Sequence, residues 1–382
     1  MNGEGFGDIM HAMLSVFRRF TCIAAALLAL LIAAPAGPGD PGGEIPPGRR
    51  FAVGLLSHDF AGDFFRAVSP SEWSYMRHPK IEVRWEKVEP SQGRFDWSGI
   101  DRQLEALSSS GFDDLLMLVN LPVPPWARDA SRGRLARKAP PADPEYWRRF
   151  VRELAGRYAE VVDFYEILNE PGWDVDSPAM QAYGSFHFGG QVETEYLEML
   201  KAAYQEIKEA DPDATVICGA MPCDVSGLPE NGLWLLDVIT DPEHQAQDWC
   251  DAFSLHPYYR PESWGYAYRL TRDLLYRKGI DKELYVTEIG WPHFSDKEDM
   301  PQGMEEQRRA IGAAGIGSLI ASGCPRIWVY QDLDDPPGTD YEGLYYGLFD
   351  YQGNPLPAWY EFRGWCRFCD ILNGLAEGLG SS

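Results

Sequence analysis

The stretch Val162-Asp163-Phe164-Tyr165-Glu166-Ile167-Leu168-Asn169-Glu170-Pro171 says more about this chain than any other. It is a short, mostly apolar run that reads as a buried strand. It closes on a glutamate and a proline that ends the strand and opens a loop. A second run has the same design: the segment from Leu284 ends in Thr287-Glu288-Ile289-Gly290-Trp291, its glutamate 118 residues (288 − 170) after the first.

Working outward, strand-like runs recur at Phe51–Leu56, Lys80–Trp85, Asp114–Asn120, Val162–Asn169, Ala214–Ala220, Ala252–His256, Leu284–Glu288 and Arg326–Gln331, eight in all. Helical patterns fill the gaps. In Ser98–Gly111 the apolar Ile100, Leu104 and Leu107 recur at i, i+4 and i+7 before a glycine stop, and in Thr194–Ala210 Tyr196, Leu197, Leu200, Tyr204 and Ile207 trace one face. Further helices are expected near Glu145–Glu160, Asn231–Ile239, Trp264–Lys278, Met304–Ser322 and Ala358–Leu375; the crossover between Ala61 and Pro79 carries the weakest pattern. Eight strand–helix alternations predict an α/β fold, a closed (β/α)8 TIM barrel forming one catalytic domain over residues 50–376, without an internal repeat. No Gly-x-Gly-x-x-Gly follows an early strand, which removes the usual support for a dinucleotide fold.

In such a barrel the reactive groups stand at the C-terminal ends of the strands. Glu170 ends the fourth candidate strand and Glu288 the seventh, nearly opposite across the mouth, in loops that also carry Trp173 and Trp291. Two carboxyls placed so, one protonated and one charged, are the minimum machinery for hydrolysing a glycosidic bond.

The stretches Arg84-Trp85-Glu86-Lys87-Val88-Glu89-Pro90, Gly93-Arg94-Phe95-Asp96-Trp97, Tyr165–Pro171, His256-Pro257-Tyr258-Tyr259, Val286–Pro292, Trp328-Val329-Tyr330 and Gly347-Leu348-Phe349-Asp350 come in an order that resembles the clan A retaining glycoside hydrolases. The resemblance covers residues 51–373 and is strongest to family 39, which includes β-xylosidases and exopolysaccharide hydrolases; Leu168 stands where members of that family often carry Trp. It implies Glu170 as acid/base, Glu288 as nucleophile, Asn169 as a contact to the sugar 2-hydroxyl, Arg84 as partner of the nucleophile, and Trp328 as the platform beneath the reacting ring.

Physical chemistry supports these roles independently. Retention needs an ionised carboxyl to attack the anomeric carbon and a protonated one about 5–5.5 Å away to release the leaving oxygen. A cation such as Arg84 keeps a neighbouring carboxyl ionised, while burial and a second carboxylate raise the pKa expected for Glu170. Plainer readings stand beside them. Arg84 has Glu82 and Glu86 as alternative partners; Glu166 lies about 13 Å below Glu170 on an extended strand and reads as structural. His256 and Tyr258 end strand six, where Tyr258 either bonds the nucleophile or packs. Trp126 and Trp173 either line outer subsites or cover the rim. Asp332, Asp334 and Asp335 lack EF-hand spacing, and no metal or cofactor is expected.

The rest of the chain sets the context. Arg18 and Arg19 precede an apolar run from Cys22 to Ala34 and the small-x-small site Ala34-Pro35-Ala36. Residues 1–36 therefore read as a signal peptide, starting at Met1 or Met13, with no stable membrane span after processing and a secreted or periplasmic product; the alternative is an uncleaved anchor. Residues 37–49 are a Pro/Gly-rich linker. Six cysteines follow, an even number that permits disulfides in an exported chain; Cys366-x-x-Cys369 has no second pair to make a metal site. A net charge of −24 argues against nucleic acid and anionic membranes as partners, and against acidic polysaccharides unless the cleft carries local positive charge. With 13 Trp and 19 Tyr, a carbohydrate is the expected partner, and a non-catalytic carbohydrate-binding barrel is the rival reading. An aldolase or isomerase barrel is disfavoured by the export signal and by the lack of a strand-end lysine or phosphate-binding glycines. Sugar identity, endo or exo action and oligomeric state are not encoded legibly.

Overall fold

The computed structural model describes residues 50–57, 63–171, 192–222, 240–241, 246–258, 260–295, 303–335 and 344–380. The expected signal peptide, the helix near Asn231–Ile239 and Trp173 lie outside them.

Eight parallel strands close on themselves: β1 Ala52–Ser57, β2 Pro79–Arg84, β3 Leu116–Asn120, β4 Phe164–Ile167, β5 Thr215–Cys218, β6 Ala252–His256, β7 Glu283–Ile289 and β8 Arg326–Val329. Each pairs with its sequence neighbour, β1 with β8 and β5 with β6 included, and Met221–Pro222 extends the fifth position to pair again with β6. The chain is a (β/α)8 barrel. Around it lie α1 Ser98–Ser108, α2 Pro144–Tyr158, α3 Val192–Ala210, α4 Trp264–Arg277, α5 Met304–Arg309, α6 Ile316–Ala321 and α7 Pro357–Gly380. The weakly patterned first crossover forms two short helices, Asp63–Ala67 and Pro70–Trp73.

The outer helices form for the reasons their sequences suggest. On α1, Ile100, Leu104 and Leu107 are buried, and on α2 Trp147, Phe150, Val151, Leu154 and Tyr158 face the sheet, behind an Asp143 cap that accepts from the Glu145 N–H. Phe150 stacks on Trp85, with ring centroids 5.3 Å apart. The helix expected over Met304–Ser322 is instead broken. Gly312 leaves helical geometry within a π-helical turn, and a Cβ at Gly315 would lie 2.1 Å from the Ala310 carbonyl oxygen, so the two glycines let the chain kink between α5 and α6.

The barrel interior is layered. Leu116, Phe164, Ile217, Ala252, Tyr285 and Trp328 fill the bottom. Trp328 is 1% exposed and packs against Gly54 of β1, where a Cβ would come within 2.5 Å of the indole. The expectation that Trp328 forms a sugar platform is therefore corrected: its side chain is a floor tile, two residues below the rim. Above this floor the interior turns polar, with Lys80, Glu166, Ser254, Thr287 and His256 all buried. The cysteines Cys218, Cys250, Cys324, Cys366 and Cys369 are free thiols, so the disulfides that the even count permits do not join any two of them. Among the described residues no helix is long and apolar enough to cross a membrane.

Candidate active site

At the end of β4 the chain twists sharply. Leu168 and Glu170 adopt left-handed backbone angles, φ +63° and +43°, uncommon for residues with side chains and concentrated at functional sites. Gly219 makes room for that turn, since a Cβ there would lie 2.5 Å from the Leu168 carbonyl oxygen. At the end of β7 the device differs. The β7–β8 register slips, Ile327 facing Val286 while Val329 faces Ile289. This irregularity lets the consecutive residues Thr287 and Glu288 both serve the interior, although successive strand side chains normally point to opposite faces.

The result brings the two glutamates together. Oxygen atoms of Glu170 and Glu288 and a ring nitrogen of His256 lie within 4.8 Å of one another. Tyr258 Oη donates to Glu288 Oε1 at 2.8 Å. His256 Nδ1 lies 2.8 Å from Glu170 Oε1, and its Nε2 lies 3.0 Å from Thr287 Oγ1. Thr287 Oγ1 in turn lies 2.6 Å from Glu166 Oε1, whose other oxygen is 2.8 Å from Lys80 Nζ. The Lys80 ammonium also donates to the Thr287 carbonyl (3.0 Å) and stands 3.9 Å from Glu288 Oε2.

Elimination assigns the Thr287 proton. Burial alone would raise the Glu166 carboxyl, but the Lys80 charge, His256 and the bonds from Lys80 and Thr287 outweigh it and hold the group below its usual range. Glu166 is therefore ionised and only accepts, so the single Thr287 hydroxyl proton goes to it. Thr287 Oγ1 must then accept from His256 Nε2–H. His256 Nδ1 faces Glu170 Oε1, so the chain Lys80–Glu166–Thr287–His256 holds the ring that positions the Glu170 carboxyl.

Glu288 has a different environment. Burial, assisted by Glu170, pushes its carboxyl above the usual range, while His256, Lys80 and the Tyr258 hydrogen bond pull it back. Burial first, and then the Glu288 charge, hold the Tyr258 hydroxyl far above its normal pKa, so it remains a donor. Tyr258, Tyr330 and Tyr346 pack edge to face around this carboxyl, with centroids 5.3–6.4 Å apart. Tyr330 follows β8 at the rim, the position expected of Trp328.

The remaining residues sort as follows. The Arg84 guanidinium donates to Glu82 Oε2 (3.0 and 2.9 Å), one of the plainer partners weighed for it, and Lys80 stands as a cation 3.9 Å from Glu288 Oε2. Glu82 and Arg84 are two positions apart on the same strand face, which makes this pairing local. Glu82 Oε1 accepts from Asn120 Nδ2, and Asn120 Oδ1 accepts from the Asn169 N–H. Asn169 Oδ1 is buried and makes no hydrogen bond among the described residues. Trp126 donates to the Glu89 carbonyl (2.9 Å) and carries the Arg149 guanidinium 5.4 Å above its ring; Trp291 is 5% exposed. Asp334 is bound by His293 and by the Gly347 N–H. Lys80 and Thr287 were missed as site residues. The signal was a lysine in an apolar strand, four residues before Arg84 on the same face.

The donors of Glu170, His256 and Glu288 are close enough to hold a divalent cation. Both ring nitrogens of His256 are already engaged, so a metal on Nδ1 would displace Glu170.

No family model and no curated relative matches the chain. Solved structures do. A family 39 glycoside hydrolase from the gut symbiont Bacteroides cellulosilyticus WH2 superposes with a TM-score of 0.57 at 18% identity, over 86% of this chain and 66% of that one. The chain thus spans just under two thirds of that enzyme. Xylanase 10B from Thermotoga maritima gives 0.59 at 16% identity, over 86% and 98%. GH5_18 from Streptomyces cattleya, solved with GlcNAc, gives 0.60 at 14%, over 84% and 81%. These neighbours are clan A glycoside hydrolases, the group that the sequence motifs resemble.

Proposed function

We propose that the chain is a retaining glycoside hydrolase acting on a β-linked poly- or oligosaccharide, exported by its N-terminal segment, with Glu170 as acid/base and Glu288 as nucleophile. The observation that carries the reading is the separation of the two carboxyls, with oxygens inside 4.8 Å, near the spacing for direct attack and too close for an interposed water.

The chemistry follows from the two environments. A Glu288 oxygen bonds to the anomeric carbon as the glycosidic C–O bond breaks, and the departing oxygen takes the proton from Glu170. Glu170, now ionised beside His256, removes a proton from water; that water oxygen bonds to the anomeric carbon and releases Glu288. The proton ends on Glu170, and the net change is addition of one water. Lys80 and the Tyr258 hydroxyl stabilise Glu288 whenever it carries charge. The unpartnered Asn169 oxygen is suited to accept from a sugar hydroxyl, a bond that strengthens as positive charge develops on the ring. A non-catalytic sugar-binding barrel has no use for two carboxyls at this spacing.

The test is hydrolysis of a panel of β-glycans by the purified protein and by Glu170→Gln and Glu288→Gln. Loss of turnover in each variant is expected; turnover by both would exclude the assignment.

A further inference from the structure

The turn that carries Glu170 is strained on both sides of one residue. The β3–β4 register ends at Val119 and Ile167, and the Leu168 N–H still donates to the Val119 carbonyl (3.0 Å). Leu168 (φ +63°) and Glu170 (φ +43°) then stand left-handed with Asn169 between them. Such angles persist only where the surroundings over-determine them. On the β5 side, Gly219 leaves room for the Leu168 carbonyl, and Tyr196 of α3 fixes Gly219 by accepting its N–H (2.6 Å). On the β3 side the turn is gripped by a side chain: the Asn169 N–H donates to Asn120 Oδ1 at 3.3 Å.

Asn120 is buried, and its neighbours leave its amide only one orientation. Oδ1 faces two backbone N–H groups, those of Leu121 (3.1 Å) and Asn169, and a backbone N–H can only donate. Nδ2 is thereby turned to Glu82 Oε1 and donates to it at 2.6 Å. Glu82 is held in turn through its other oxygen, which accepts twice from Arg84. A carboxylate on β2 thus locks an amide on β3, and that amide grips the backbone of the β4 turn midway between its two strained residues.

We infer that Asn120, locked by Glu82, is a positioning residue for the acid/base: it pins the Asn169 N–H and so aims the Glu170 carboxyl at the leaving oxygen. The inference rests on the glycosidase reading and adds to it a pair of residues that act through the backbone.

The test compares the full chain with Asn120→Ala in two readouts. In Asn120→Ala, kcat on β-glycans with poor leaving groups should fall about 100-fold with KM little changed, the scale of a misplacement of about 1 Å. Aryl glycosides with good leaving groups, which lean less on the acid, should lose less than about ten-fold. Without substrate, hydrogen–deuterium exchange in the peptide spanning Leu168–Glu170 should quicken about ten-fold at Asn169, the scale of one lost hydrogen bond. Should Asn120→Ala fail to fold, Asn120→Asp, of equal size, takes its place in both readouts. Asn120→Asp sets a carboxylate against Glu82, and adding Glu82→Gln restores a donor–acceptor pair of reversed sense; the double variant should recover most of the loss. Equal losses on both substrate types, unchanged exchange at Asn169, or no recovery on adding Glu82→Gln would overturn the inference. Absence of glycan hydrolysis by the unsubstituted protein would instead count against the proposed function, while the exchange rates would still report whether Asn120 holds the turn.

Discussion

His256 Nδ1 lies 2.8 Å from Glu170 Oε1, and the same ring is anchored from below through Thr287 to a buried Glu166–Lys80 pair. A histidine held at both nitrogens positions the carboxyl it faces. His256→Asn should therefore weaken acid catalysis more than glycan binding. On substrates with poor leaving groups kcat/KM is expected to fall about 100-fold, the lower end of general acid contributions. Aryl glycosides with good leaving groups, which need little protonation, should lose far less. Equal losses on both would assign His256 a merely structural role.

Tyr258 donates to Glu288 Oε1 and so favours the ionised carboxyl, against the burial that raises its pKa. Removing that bond in Tyr258→Phe leaves burial less opposed. The acid limb of the kcat/KM profile should move to higher pH, and activity at low pH should drop about ten-fold, as expected for a hydrogen bond to a charged acceptor. A limb that stays in place would show that another group titrates there.

Lys80 and Glu166 are both fully buried. Lys80→Met leaves a buried carboxylate without its cation and is expected to cost about 3–5 kcal/mol in denaturant unfolding. Adding Glu166→Gln should restore much of this, because it removes the stranded charge. If the double variant is as unstable as the sum of the single ones, the two groups are not coupled.

Trp328 and Tyr330 separate floor from rim. Trp328→Ala should cost about 3–5 kcal/mol in stability as a core cavity. Tyr330→Ala should lower kcat/KM by a larger factor than Trp328→Ala lowers it, at a smaller cost in stability. The reverse pattern in kinetics and melting would restore Trp328 as the sugar contact.

Strand order and helix spacing were legible because the barrel keeps returning to one pattern, an apolar strand followed by a helical segment. Glu170 and Glu288 were legible because each ends such a strand. What stayed hidden lies in departures from regular geometry. The register slip at β7 turns Thr287 and Glu288 inward together, and alternation along a strand cannot foretell that. That Arg84 binds Glu82 depended on a local contact along its own strand face. Trp328 and Tyr330 share parity, so only the depth of β8 in the barrel decides which meets the rim. Gly54 sets that depth by admitting the indole.

The account turns on Glu288 bonding to sugar carbon while Glu170 supplies the proton. Proton NMR of the first sugar released from a hydrolysed β-glycan, recorded before mutarotation, tests this most directly. Two displacements at one carbon predict that the β-anomer appears first; first appearance of the α-anomer would contradict the account.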